Sequence, residues 1–140
     1  MTDSTHYDVI IIGSGAGGST LAYALADSGK NILILERGER IPQEHQNWDA
    51  EAIFKDGRYG TEETWRDKDG DSFSPSTYYR VGGNTKVYGA ALMRIRQEEF
   101  GTVQHHDGVS PAWPVSYERL APYYQQAETL YHVHGKAGAD

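Results

Sequence analysis

The chain contains no cysteine. That removes disulfides, thiolate metal sites and a cysteine nucleophile together, and it leaves the redox compartment open. Positive charge is scarce. Lys and Arg number 13 against 20 Asp and Glu, giving a formal net charge of -7. A phosphate backbone is therefore a poor partner, and no nucleic acid is expected. Hydrophobic residues reach only 38%, little for a self-sufficient α/β domain. An unbroken apolar run is missing too. Val9 to Ala26 carries no charge, but glycines and serines interrupt it, so no membrane span is expected. Only Asp3, His6 and Asp8 precede it where a secretory leader would need basic residues, so no signal peptide is recognised and a cytoplasmic location is expected.

Glycine is what the chain has in quantity, 16 residues, and much of it is clustered. The stretch "DVIIIGSGAGGST" runs from a β-branched segment, Tyr7 to Ile12, straight into G-x-G-x-x-G at Gly13, Gly15 and Gly18. Continuous β-branched residues predict a parallel strand buried on both faces. "STLAYALADSG" then predicts a short, tightly packed helix ended by Gly29, and "NILILE" a second buried strand ending at Glu36. In such a unit Gly13 permits the tight turn, Gly15 admits the pyrophosphate to the backbone, and Gly18 allows close helix–strand packing. The helix N-terminus offers unpaired N–H groups to the phosphates. Glu36, 18 residues beyond Gly18, can accept hydrogen bonds from a ribose diol. An acid rather than an arginine there disfavours NADP but does not choose between NAD and FAD.

From Arg37 to Ser76 the sequence is polar, with Trp48, Ile53, Phe54 and Trp65 as its apolar anchors. A short helix is expected over Asn47 to Phe54, with Asp49 in its first turn. "DKDGDS" has the look of a calcium loop, but Ser72 stands where the loop glycine belongs and Tyr78 where the bidentate glutamate belongs. Calcium is excluded, and a solvated turn is expected. A second glycine cluster follows in "YYRVGGNTKVYGAALMRIR". Gly82, Gly83, Asn84 and Thr85 offer bare backbone and two polar side chains, suited to phosphate or a polar ring edge. Gly89, Ala90 and Ala91 are small enough for a flat ring to lie on. "LMRIR" alternates as a strand does, leaving Arg94 and Arg96 to solvate its edge. Ser116 can cap a turn, and Pro122 can open a second helix at its first position, with Tyr124, Ala127, Glu128 and Tyr131 at helical spacing. The six histidines form neither a zinc set nor a Ser–His–Asp arrangement and read as surface residues.

Three segments, "DVIIIGSGAGGSTLAYALADSGKNILILERG", "VGGNTKVYGAALMRIR" and "PAWPVSYERLAPYYQQAE", resemble the N-terminal part of a glucose–methanol–choline (GMC) oxidoreductase. The resemblance implies FAD. It implies a Rossmann-like FAD-binding βαβ unit, part of a doubly wound parallel sheet in a parent enzyme and incomplete in these 140 residues. The cofactor-binding residues it implies are Gly13, Ser14, Gly15, Ala16, Gly17 and Gly18 at the pyrophosphate, Glu36 and Arg37 at the adenosine, and a second FAD loop containing Gly82, Gly83, Asn84, Thr85, Tyr88, Gly89 and Ala90. Some members attach flavin through a histidine in that loop. Here the place falls near Lys86-Val87, so non-covalent FAD is expected. The implied reaction is oxidation of a small-molecule alcohol or sugar by hydride transfer to flavin N5. The substrate domain and catalytic histidine are expected outside this chain, so no catalytic residue and no metal ligand is expected within it. On this reading 1–38 is the dinucleotide-binding unit, 39–77 a polar excursion, 78–96 the second loop with its strand, and 97–140 a loop plus helix. Two other readings stay open: an NAD-dependent dehydrogenase fragment with an incidental second loop, and a non-catalytic truncated nucleotide-binding module.

Overall fold

The computed structural model describes residues 6–87 and 91–135. The chain divides into two compact units, Met1–Gly89 and Ala90–Asp140.

The first unit is built on a strand–helix–strand crossover. β1 (Val9–Ile12) and β2 (Ile32–Leu35) pair in parallel, with Val9 opposite Ile32 and Ile12 opposite Leu35. Parallel neighbours need a crossover, and α1 (Ala16–Leu25) supplies it, prolonged by a 3₁₀ turn at Ala26–Ser28 and closed by Gly29 at φ 70°. The pair is fastened at both ends. Asp8 N–H donates to Asn31 O at 2.9 Å while Asn31 N–H donates to the Asp8 carboxylate at 2.8 Å, and Gly13 N–H donates to Leu35 O at 2.7 Å.

The helix and strands lie where the sequence puts them, but the strands are not buried on both faces. Only Ile11 is buried in the pair, while Ile10 is 57% and Ile12 86% exposed. Two strands with one helix leave a sheet face and both edges open.

After β2 the chain makes a 3₁₀ turn at His45–Trp48 and a π-helical turn at Glu51–Lys55. The expected single helix over 47–54 is thus broken at Asp49. Its side chain caps the second turn instead, accepting from Glu51 N–H at 2.9 Å. "DKDGDS" forms the turn of a hairpin between β3 (Trp65–Arg66) and β4 (Ser72–Phe73). Asp67 closes it, accepting the N–H groups of Asp69 and Asp71, each at 2.9 Å. The chain then returns alongside the exit of β2, where Glu39 bridges Arg80 in parallel and Val81 N–H donates to Glu39 O at 3.1 Å.

The second unit holds a hairpin of β5 (Val103–His105) and β6 (Gly108–Ser110), followed by α2 (Tyr117–Leu130). Two expectations fail here. Residues 92–96 form no strand, because no neighbouring strand takes up their backbone. Arg94 is correspondingly not an edge-solvating residue: its guanidinium grips Glu128 with two 2.6 Å bonds and faces the Tyr124 ring. α2 begins at Tyr117 rather than at Pro122, which lies inside it. Ser116 starts the helix by accepting from Arg119 N–H, a stronger local signal than the proline downstream. Phe100 is the buried residue of this unit, packed against the rings of Trp113 and Tyr117.

Candidate functional site

The turn between β1 and α1 is shaped by two glycine requirements. Gly13 sits at φ 92°, a conformation L-residues rarely adopt. A Cβ on Gly18 would stand 2.0 Å from Gly13 O and 3.0 Å from the Ile11 side chain, so helix and turn approach as closely as they do only because that atom is missing. Gly15, the N-cap of α1, lies at φ -68° and ψ -172° with no side-chain cap, and no acidic residue occupies the first helical turn. The N–H groups at this end of the helix are orphaned by geometry and turned toward a place where negative charge is favoured.

Facing this turn is the second glycine loop. Gly82 and Gly83 both take left-handed backbone, at φ 93° and 65°, and lead into a 3₁₀ turn at Gly83–Lys86. A Cβ on Gly83 would lie 3.0 Å from Gly15 Cα, and one on Gly15 would find nothing nearer than Gly82 O and Gly83 Cα at 3.9 Å. The two bare backbones therefore pack closely against each other, with Gly83 at a spacing that a side chain would crowd. Gly82 N–H donates to Ser14 Oγ at 2.9 Å, joining loops 68 residues apart. A cavity of about 420 Å³ opens beside them, lined by Gly13, Gly15, Glu36, Arg37, Gly83 and the segment Tyr78–Arg80.

Glu36 stands at the end of β2 on this cavity. Its Oε2 accepts from Ser14 Oγ at 2.6 Å and from Ser14 N–H at 2.9 Å, and its Oε1 accepts from Gly38 N–H at 2.9 Å. These donors, the Ser14 hydroxyl first, lower its pKa to about 2. Arg37 lies over the Tyr79 ring, 3.8 Å from its centroid, and pairs with Glu63. Glu63 also accepts from the Tyr79 hydroxyl at 2.8 Å. Arg37 draws the Glu63 carboxyl below its ordinary pKa, and Glu63 raises that of Tyr79.

The family model described as FAD dependent oxidoreductase (DAO) matches residues 8–136. The chain belongs to that family. Among FAD-dependent oxidoreductases it is 35% identical over 137 residues to the 6'''-hydroxyparomomycin C oxidase of Streptomyces lividus, covering 92% of this chain and 23% of that protein. It is 32% identical over 146 residues to the 2-methyl-1,2-propanediol dehydrogenase of Mycolicibacterium austroafricanum, covering 98% and 26%. Its relatives are of the GMC type. In fold it is similar to the crystal structure of pyridoxine 4-oxidase from Mesorbium loti, with a TM-score of 0.58 and 22% identity over 95% of this chain and 27% of that one. The chain thus spans about a quarter of the length of the curated relatives it matches, and it corresponds to their N-terminal, FAD-binding part.

The residues present fit an FAD pyrophosphate. The cavity opens beside two closely packed glycine backbones and an uncapped helix end that carries no competing acid. Of the site residues expected from the sequence, Gly13 to Gly18, Glu36, Arg37, Gly82 and Gly83 come together in this one unit. Asn84 and Thr85 turn their side chains to their own loop: Asn84 Oδ1 accepts from Tyr78 N–H at 2.9 Å, and Thr85 Oγ1 donates to Gly82 O. Tyr88, Gly89 and Ala90 lie outside the described residues. A larger hollow, about 690 Å³, lies against Val81, Lys86 and Val87 with Trp48 and Tyr59. Side chains wall it, with none of the paired glycine backbone of the smaller cavity.

Sequence reasoning missed Gly38, Glu63 and Tyr79. A Cβ on Gly38 would meet Tyr79 O at 2.0 Å, so this glycine admits the returning chain against β2. Its place directly after Glu36-Arg37 is a readable signal. The pairing of Tyr79 with a residue 42 positions earlier leaves no trace in the local sequence.

Proposed function

We propose that this chain holds FAD non-covalently for an enzyme that oxidises an alcohol or sugar hydroxyl, and that the cavity beside the two glycine loops takes the pyrophosphate. The bound flavin would supply a hydride acceptor for the carbinol carbon. This chain's own residues bind and orient it. The N–H groups of Gly15, Ala16 and Gly17 at the start of α1 meet one phosphate charge, and Gly13 and Gly18 keep that turn tight. Glu36 addresses the adenosine ribose, and Arg37 with Tyr79 lines the same cavity. Gly82 and Gly83 bring the second loop over the phosphates, with Asn84 and Thr85 shaping it.

The observation that carries this reading is the meeting of Gly15 with Gly82 and Gly83 beside Glu36. An incidental second loop, as in an NAD-dependent dehydrogenase, would have no reason to close over the first. The two relatives are named for oxidation of 6'''-hydroxyparomomycin C and of 2-methyl-1,2-propanediol, and on that ground the substrate of the complete enzyme is assigned to small alcohols or sugars. Titration of the chain with FAD and with NAD, followed by flavin fluorescence and by calorimetry, tests the assignment. FAD binding in the micromolar range or tighter, displaced by ADP and released into the supernatant by acid, is expected. Binding of NAD but not FAD, or colour that stays in the acid pellet, overturns it.

A further inference from the structure

Ser14 fills the first variable position of the glycine motif, where any small residue would suit the turn. Its hydroxyl nevertheless sits between two other segments. It donates to Glu36 Oε2 at 2.6 Å and accepts the Gly82 N–H at 2.9 Å. A hydroxyl has a single proton. Given to Glu36, that proton is not available to a phosphate oxygen. Glu36 Oε2 accepts two bonds, from the Ser14 hydroxyl and N–H, and Oε1 accepts that of Gly38, while the Arg37 N–H also favours the carboxylate. Both Ser14 donors thus hold the same oxygen, Oε2, and leave Oε1 as the oxygen turned from Ser14.

We propose that Ser14 is a positioning residue that acts on the dinucleotide through Glu36 and Gly82: its hydroxyl fixes the carboxylate so that Oε1 is the oxygen presented to a ribose hydroxyl, and it clamps the second glycine loop over the first. This rests on the assignment of FAD to the cavity. A site assembled before its ligand arrives loses less to ordering on binding. Without the Ser14 hydroxyl, the Gly82 N–H loses its acceptor and Glu36 loses its shortest bond.

Ser14→Ala and Ser14→Thr in the complete chain test this, with three readouts: FAD and ADP affinity, ligand-free amide exchange at Gly82, and the pH at which FAD binding fails. Ser14→Ala should weaken FAD and ADP alike by about tenfold or more, as loss of a hydrogen bond to a charged group does. It should also speed exchange at Gly82 and move the acid loss of binding to higher pH. Ser14→Thr keeps the hydroxyl and should restore all three, which separates a lost bond from a lost fold. Unchanged affinity in Ser14→Ala overturns the proposal. So does weaker binding with unchanged exchange at Gly82, since the hydroxyl would then act by touching the ligand. A wild-type chain that binds neither FAD nor ADP overturns the cavity assignment and this proposal with it. Wild-type binding with an indifferent Ser14 overturns the proposal alone.

Discussion

A methyl group at Gly18 would stand 2.0 Å from the carbonyl of Gly13, whereas one at Gly15 would have 3.9 Å of clearance. The same Gly→Ala change should therefore fail in two ways. Gly18→Ala forces the turn off the helix and should cost more than about 3 kcal/mol of stability, beyond ordinary overpacking, read by chemical denaturation. Gly15→Ala keeps a backbone conformation open to any residue and should stay within about 0.5 kcal/mol of wild type. It should still weaken FAD about tenfold or more, since a displaced phosphate loses charge-assisted hydrogen bonds worth roughly 1.5–3 kcal/mol each. Equal affinity for the two chains would place the pyrophosphate elsewhere. Acid sensitivity belongs to this scale as well. Glu36 and Glu44 are both held at about 2, by the Ser14 hydroxyl and by Arg58 respectively. Each folded-state value lies below the unfolded one. Their contribution is complete above the ordinary carboxylate range and is lost as pH falls through it toward about 2. Melting temperature should fall across that window, and Glu36→Gln should flatten the part that Glu36 supplies. An unchanged slope in that variant would deny Glu36 the role.

One helix departs from its simplest expectation at a particular residue. α2 carries Pro122 in its interior, where the ring removes one N–H donor and crowds the preceding turn. Pro122→Ala should stabilise the chain by about 1–3 kcal/mol, seen as a higher denaturation midpoint at unchanged m-value. A loss of stability would mean that the proline serves packing rather than tolerating it. The approach to α2 is fastened by Arg94, which bonds both oxygens of Glu128 and the Tyr117 hydroxyl. "LMRIR" alternates like a strand, but alternation reports which side chains face inward and not whether a neighbour exists to take up the backbone. α1, by contrast, is legible throughout. Glycines open it, alanines and leucines fill it, and Gly29 takes the left-handed conformation that ends it.

For the whole molecule, the decisive feature is how little is buried. Ile11, Ile53, Tyr59 and Phe100 form the core among the described residues, while Ile10, Ile12, Ile34 and Leu35 stand 40–86% exposed on a two-stranded sheet. A parallel pair with open edges and an apolar face invites another chain. The 140-residue chain should therefore self-associate with concentration, visible by analytical ultracentrifugation. Ile10→Lys, at 57% exposure, should reduce association while leaving FAD binding intact. A monomer at all concentrations would show that these surfaces are not adhesive.

The sequence alone determined the dinucleotide-binding unit. Strand, glycine turn, helix, strand and acid are local in sequence, and each step follows from the conformational range of its own residues: Gly13 and Gly29 in left-handed backbone, Gly18 without a side chain, Glu36 at a strand end. Of the two short hairpins, the first could be read only as a solvated turn within the polar excursion and the second only as loop, because few apolar residues set a period there. Tertiary structure decided the rest. That Gly82 reaches Ser14, that Tyr79 stacks on Arg37, and that Gly38 admits the chain returning at Tyr79 depend on where a 40-residue loop comes back. No residue announces such a return, since a closure is fixed by the sum of contacts at its ends and not by the propensity of the residues between them.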